Sequence, residues 1–361
     1  MVTVQRPFPR KAIIRHGRTR LEDSLLPEKY KRALQQLGYL TIEQVISAAK
    51  IAAPRLSSYL NADIKAIVAG LPQQLFAVQV SAEVKLAKYK FGARLPHPVQ
   101  ATLPRVDSGA GDHIPAQRLA PSIGGEPPDS SVNLIPGMPP VRDQGRRGTC
   151  VAHASLAAAE YYWGTLGQQR DLSEQFQYWN CKEHDGLPDE EGTFLAVAMP
   201  LMVADGCCLE STWIYNPTPI PGNESQGPPP PSAAAEAAGR KAPHVRQLSP
   251  QSVADIKDEL AANRPVAVSV VVYDYCWFSE EIRSSGDVTM PFPGDTSNEG
   301  HAICIVGYED LNGEPELGGG RFIIRNSWDG LWGVNCQFGA GYGTLPYAYL
   351  TTYGTEAYSI D

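Results

Sequence analysis

Val141-Arg-Asp-Gln-Gly-Arg-Arg-Gly-Thr-Cys150-Val-Ala-His-Ala-Ser155 is a glycine-broken loop that runs straight into a helix. Thr149 is a good N-cap residue, and the Ala/Leu-rich run from Cys150 to about Tyr162 has helical composition. This places Cys150 in the first helical turn, where unpaired N–H groups and the helix dipole favour a thiolate. Gln144, six residues upstream, can turn its side-chain amide to the same point as an oxyanion donor. A cysteine at a helix start says little alone, since most cysteines are small buried hydrophobes. A nucleophile needs a base, and the base needs a group to orient it.

Both are present far downstream. Gly300-His-Ala-Ile-Cys-Ile-Val-Gly-Tyr308 reads as a β-branched strand with His301 at its entrance. Arg321-Phe-Ile-Ile-Arg-Asn-Ser-Trp-Asp-Gly-Leu-Trp-Gly333 reads as a second strand that ends at Asn326, with Trp328 and Trp332 just beyond. Wide separation in sequence is what a triad assembled in space requires.

On these residues the chain resembles the papain-like cysteine peptidases. The matches are Gln144 with Cys150, Gly-His301-Ala leading to Val-Gly-Tyr308, Asn326-Ser-Trp-x-x-x-Trp-Gly333, and Leu172-Ser-Glu-Gln175. They cover about residues 130–361 and nothing earlier, and their terse spacing is similar to that of bacterial-type members. The resemblance implies an α+β, papain-like two-lobed domain over 131–361, a helical lobe and an antiparallel β-barrel-like lobe with a cleft between. The order of helices then strands agrees with it. It also implies a peptide or protein substrate, an endopeptidase reaction, and a Cys150 thiolate paired with a His301 imidazolium. Asn326 would orient the ring, Gln144 would serve the oxyanion hole, and Trp328 would cover the Asn326–His301 bond. Gly192 would pair with the substrate backbone, and Glu299 and Gly300 would border the side-chain pocket. Glu299 favours a basic side chain if it points inward; the alternative is that it points to solvent.

Several positions depart from the family. Its usual disulfide has a cysteine where this chain has Arg147, and a partner in the segment that here is Asp189-Glu-Glu-Gly192. An ion pair from Arg147 to Asp189 or Glu190 is the expected substitute. Val151 stands where a tryptophan is usual. Of the six other cysteines, Cys181 with Cys207 or Cys208 is the one disulfide entertained. His153, three residues after Cys150, is read as structural, and His16, His97, His113, His184 and His244 as solvated. No His/Cys spacing matches a zinc site, so neither metal nor cofactor is expected.

The front of the chain has another character. Residues 1–105 hold 17 basic against 6 acidic residues, which leaves 14 against 33 in the remainder. This asymmetry predicts a basic N-terminal module docked on its own acidic catalytic half; solvation of the surface is the bland alternative, and nucleic-acid binding is the weaker reading. Residues 1–23 form a basic arm without the apolar h-region of a signal peptide. Residues 24–92 read as a small helical module with helices over Tyr30–Leu37, Ile42–Ala52 and Leu56–Leu71. Thr41 and Gln44 look like a capping box, Gly38 like a C-cap, and Phe76–Val80 like a short strand or extended arm. Residues 93–130, rich in Pro and Gly, form a linker or a cleft-blocking segment, and self-cleavage is expected between Phe91 and Met138.

In the catalytic half, helices are expected at Ser173–Trp179, Thr193–Val203 and Ser252–Ala262. Strands are expected at Pro265–Tyr273, through His301 and Asn326, and near Tyr347–Thr352, with a surface loop over 217–246. No apolar run reaches the ~20 residues of a membrane span. A monomer is expected, cytoplasmic or exported without a classical signal. Two other functions stay open: a Cys-dependent acyl transferase or amidase on peptides, and a non-catalytic binding protein with a basic N-terminal module.

Overall fold

A computed structural model of the protein describes residues 19–24, 26–71, 90–95, 131–311 and 317–361. The expected strand or arm at 76–80 and most of the 93–130 segment lie outside them. Three helices come first: α1 (Glu28–Gln36), α2 (Ile42–Leu60) and α3 (Ile64–Ala69). Gly38, with φ of +76°, ends α1 by letting the chain turn back so that Tyr39 N–H reaches the Leu34 carbonyl at 3.1 Å. Thr41 and Gln44 form the full capping box of α2. The break expected between Ala52 and Leu56 is a kink instead. Ala52 leaves helical geometry (φ −127°), so that Pro54, which lacks an N–H, opens a fresh turn and α2 runs on to Leu60.

The helical lobe of the catalytic half contains α4 (Cys150–Thr165), α5 (Glu174–His184) and α6 (Leu195–Ala204) around a core that includes Leu156, Phe176, Met199 and Met202. The second lobe is built on one sheet, β1 (Ser131–Asn133), β2 (Val245–Leu248), β3 (Val266–Val271), β4 (Gly300–Asp310), β5 (Gly320–Arg325), β6 (Tyr342–Pro346) and β7 (Gly354–Ile360). Its order is β2-β7-β3-β4-β5-β6, with β1 added on β4 and every pairing antiparallel. Helix α7 (Val253–Ala261) is capped by Ser252, whose hydroxyl accepts from Asp255 N–H.

Two expectations fail here. Tyr347–Thr352 is not a strand but helix α8 (Tyr347–Tyr353), set between β6 and β7. Its tyrosines and threonines favour strands in isolation, but Tyr347 and Leu350 are three apart and both buried, and that packing overrides propensity. Residues 217–246 are not simply a loop. They hold a short helix at Ala233–Ala237, both of whose end residues are buried, and they run into β2.

The core of the sheet lobe is aromatic, with Trp277, Trp328, Trp332 and Tyr349 all buried, and it continues without a break into Leu34, Ile42, Val45 and Leu56 of the front helices. Backbone bonds cross the same seam, from Met290 N–H to the Leu37 carbonyl (2.9 Å) and from Glu281 N–H to Ser47 Oγ (3.0 Å). Lys50–Glu280 and Arg55–Asp295 are ion pairs at 2.9 and 2.7 Å, in the basic-on-acidic sense that charge asymmetry anticipated. Exposed pairs contribute roughly 0–1 kcal/mol each, whereas a buried Leu or Ile contributes about 1.5–3 kcal/mol. The seam is therefore held mainly by apolar packing.

All seven cysteines are free and buried, so the entertained bridge from Cys181 to Cys207 or Cys208 does not form. Among the described residues no helix is long and apolar enough to cross a membrane.

Glu160 and Glu174 are buried together near Glu210, and burial pushes their carboxyls up to about 8, 7 and 7 respectively from 4.5. Like charges add to this, Glu174 beside Glu160 and Asp171 beside Glu174, while Arg142 and Arg325 oppose it without cancelling it. The folded chain thus holds protons that the unfolded chain releases above its ordinary carboxyl value. Stability on this account falls as pH rises from about 4.5 to about 8. The thermal midpoint is expected to be higher at pH 5 than at pH 8, and Glu160→Gln to shrink the difference. A pH difference in midpoint that Glu160→Gln leaves unchanged would remove this account, since buried His153 and His301, both lowered to about 4, act in the opposite sense over the same range.

Candidate active site

Cys150 opens α4 as expected, but Thr149 does not cap with its side chain; its hydroxyl bonds the Tyr215 hydroxyl at 2.6 Å. The Cys150 sulfur accepts from Ala302 N–H at 3.3 Å. The amides of Gly92, Ala93 and Val151 also pull its pKa down, yet burial outweighs them and pushes the thiol up to about 12.

His301 is the second residue of β4, and Asn326 follows the last residue of β5. The register sets Cys304 opposite Arg325, which brings the end of β5 to the start of β4. His301 Nε2–H donates to Asn326 Oδ1 at 2.8 Å, so the other ring nitrogen, Nδ1, is the unprotonated one; it is buried and has no hydrogen-bond partner. Trp328 stacks on the imidazole with centroids 4.4 Å apart, and Trp277 meets it edge-on at 5.7 Å. Burial lowers the His301 pKa to about 4, against the Asn326 bond, which raises it.

Gln144 joins the same group through Ser327. Ser327 Oγ–H donates to Gln144 Oε1 at 2.6 Å, and Gln144 N–H donates to the Ser327 carbonyl at 2.9 Å. Ser327 N–H in turn donates to Asn326 Oδ1 at 2.8 Å. With its oxygen held, the Gln144 amide gives one Nε2 proton to the Arg147 carbonyl at 2.8 Å and turns the other toward the cleft.

That donor is occupied. Residues 90–95 lie in the cleft, and Gln144 Nε2 donates to the Lys90 carbonyl at 3.0 Å, as does Trp328 Nε1 at 3.3 Å. Gly92 and Ala93 N–H groups both reach the Gly300 carbonyl at 3.1 Å. On the opposite rim Thr193 N–H donates to the Gly92 carbonyl (2.9 Å) and Arg94 N–H to the Thr193 carbonyl (2.8 Å), a parallel bridge. Phe91 packs on Phe278 and against His301 and Trp328. Lys90 pairs with Glu191 and Arg94 with Glu190. Gly92 lies so close to the backbone that a Cβ there would sit 1.9 Å from the Gly148 carbonyl oxygen.

The remaining sequence expectations fare unevenly. Gly300 takes part through its carbonyl, as described. Gly192 has φ of +89° and takes part only indirectly: its N–H goes to the Tyr178 hydroxyl and its carbonyl to Lys182, and backbone pairing falls on Thr193. Glu299 is exposed, and among the described residues its side chain makes no ion pair, so the solvent-facing alternative holds. Arg147 pairs with neither Asp189 nor Glu190. Its guanidinium is buried, donates to Gln175 Oε1 and to the carbonyls of Asn216 and Glu224, and lies against the Tyr178 and Tyr215 rings. Three carbonyl-type acceptors take three of its five donors without a carboxylate. His153 is buried, bonded by Nδ1 to the Thr149 carbonyl and edge-on to Tyr215, which is a structural setting. Sequence reasoning missed Ser327, Thr193 and Trp277, of which only Ser327, inside the Asn-Ser-Trp motif, had a signal; a cleft-blocking segment was expected at 93–130, and the described residues in the cleft are 90–95.

The chain belongs to the papain family of cysteine proteases, whose model matches residues 131–345. Similar chains include a peptidase C1-like protein of Acanthamoeba polyphaga mimivirus, 27% identical over 219 residues (58% of this chain, 64% of that one). Peptidase 1 of Dermatophagoides pteronyssinus is 27% identical over 238 residues (63% and 64%). The match thus spans a little under two thirds of each of these relatives. Among solved structures, xylellain, a cysteine protease from Xylella fastidiosa, shares the fold at TM-score 0.55 and 23% identity, covering 76% of this chain and 94% of its own. Digestive procathepsin L 3 of Tenebrio molitor larval midgut does so at 0.51 and 18%, covering 94% and 100%.

With a thiol near 12 and an imidazole near 4, both groups are neutral at pH 7 in this closed arrangement. Alkylation of Cys150 by iodoacetamide in the full chain is expected to be slow at pH 7 and to keep rising beyond pH 10, followed by peptide mapping with Cys150→Ser as control. A rate that levels off by pH 8 would contradict the neutral pair.

Proposed function

We propose that the protein is a cysteine endopeptidase held in an autoinhibited precursor state by residues 90–95. One observation carries the reading: residues 90–95 occupy the groups that line the cleft, with the Lys90 carbonyl on Gln144 Nε2, the Gly92 and Ala93 N–H groups on the Gly300 carbonyl, and Gly92 and Arg94 bridged to Thr193. The Lys90 carbonyl on Gln144 occupies the oxyanion donor at the same time.

Once the segment leaves, water reaches the pair and the cost of charge falls. Cys150 Sγ–H passes its proton to His301 Nδ1, and the thiolate adds to a substrate carbonyl. Gln144 Nε2 and the Cys150 N–H receive the oxyanion. The imidazolium, held by Asn326, gives its proton to the leaving amine, and water then releases the acyl group from sulfur. Asn326 suits this because an already ionised pair needs orientation more than a further negative charge.

The basic–acidic pairing of Lys90, Arg94, Lys50 and Arg55 with Glu191, Glu190, Glu280 and Asp295 supports self-docking of the N-terminal module. The acyl-transfer alternative uses the same site and is separated from hydrolysis by adding an acceptor amine and weighing the products.

Gly92→Val tests the precursor reading without touching the reacting residues, because its side chain collides with the Gly148 carbonyl. Labelling of Cys150 by an epoxysuccinyl thiol-protease inhibitor is expected to be at least about tenfold faster in Gly92→Val than in the wild-type chain, the equivalent of roughly 1.4 kcal/mol of lost closure. Equal, rapid labelling of both would keep the peptidase and discard autoinhibition. Failure of both to label would favour a binding protein with a permanently filled cleft.

A further inference from the structure

We propose that Lys182 is a positioning residue whose buried ammonium holds the rim of the cleft that pairs with a bound peptide backbone. This rests on the peptidase reading above and extends it to a residue outside the reacting group. Lys182 has no exposed side-chain surface, and neither has Asp185. Its Nζ donates to Asp185 Oδ2 (2.8 Å), to the Glu190 carbonyl (2.7 Å) and to the Gly192 carbonyl (2.9 Å). Three ammonium protons thus meet three acceptors, two of them backbone groups of the rim.

The rim is fastened at further points. Tyr178, one turn earlier on the same face of α5, accepts from Gly192 N–H at 2.9 Å and donates to Glu224 Oε1 at 2.6 Å. Asp185 Oδ1 accepts from Leu187 N–H at 2.9 Å, which fixes the start of the loop. Both backbone groups of Gly192 are therefore committed to α5, and the next residue, Thr193, is left with its N–H and carbonyl facing the cleft. Those are the groups that bond Gly92 and Arg94 in the closed state. No disulfide ties this loop, since every cysteine is free. The placement of Thr193 is set by Tyr178 and Lys182 on one helix face.

An ion pair of this kind can also be merely structural, and the two roles are separable. Replacing a buried pair by apolar residues of similar volume is often neutral for stability. Lys182→Met/Asp185→Leu is therefore expected to fold, while it leaves the Glu190 and Gly192 carbonyls without their donor. Hydrogen exchange on the full chain is expected to speed up at least about tenfold at the amides of Gly192 and Thr193, with α4 within about twofold of wild type. Combined with Gly92→Val, the same pair of changes is expected to raise KM for a peptide substrate about tenfold and to leave kcat within about threefold. Lys182→Met alone, which keeps Asp185 charged and unpaired, is expected to lower the thermal midpoint as well.

Unchanged exchange at Gly192 and Thr193 overturns the proposal, as does an equal rise throughout the helical lobe. A loosened rim with KM unchanged also overturns it. If Gly92→Val releases no activity at all, the exchange result still decides the role of Lys182, and only the precursor reading fails.

Discussion

The bond between His301 Nε2 and Asn326 Oδ1 is the constraint on which the rest of the site depends. It fixes the tautomer, so it decides which ring nitrogen is left to take a proton. Trp328 and Trp277 wall it from water, which strengthens the bond and at the same time makes a charged imidazole costly. These effects work against each other. A ring oriented by a dry environment is also a ring held neutral by it, and the closed cleft, with Phe91 as another wall, lies on the neutral side of that balance.

Through Ser327 the same bond reaches the oxyanion donor. Asn326 Oδ1 accepts from both His301 and Ser327, and Ser327 aims Gln144 by holding its amide oxygen. The imidazole of His301 and the side-chain amide of Gln144 are thus two ends of one hydrogen-bonded chain, which the proposed mechanism uses for the base and for the oxyanion donor. Around it, two buried cations do the work of shaping loops. Arg147 gathers residues 216 and 224 with three acceptors, and Lys182 gathers 190 and 192 with an acceptor for each of its three protons. A buried charge without such partners would cost several kcal/mol. This explains why Arg147 needs no pairing with Asp189: three of its five donors are already spent on neutral oxygens.

Much of the site was legible in the sequence because its chemistry restricts residue types. Few side chains other than Cys, His, Asn and Gln suit the proposed nucleophile, base, orienter and donor, and Cys150, His301 and Asn326 each sat at a recognisable strand or helix end, with Gln144 in the loop ahead of Cys150. What was not legible depended on burial. Tyr347–Tyr353 has strand-forming residues and forms a helix because Tyr347 and Leu350 share a buried face. The backbone-pairing position fell on Thr193 rather than Gly192, since Lys182 and Tyr178 consume the glycine's groups, and nothing in the local sequence announces that. A segment in the cleft was legible in outline, placed at 93–130 from its Pro and Gly content and its position ahead of the catalytic half. Its closest approach, at Gly92 and Ala93 against Gly148 and Gly300, was not, since small residues in an extended run read simply as loop.

The covering of Cys150 has a consequence for the molecule's chemical lifetime. Oxidants and electrophiles react with thiolates far faster than with thiols, and a sulfur oxidised past the sulfenic stage is lost to catalysis. With residues 90–95 in place, the sulfur is fully buried and its proton tightly held. On the proposed precursor reading, the segment that fills the cleft would therefore also keep the nucleophile reduced, so that a closed molecule could age without losing the atom on which its reaction would depend.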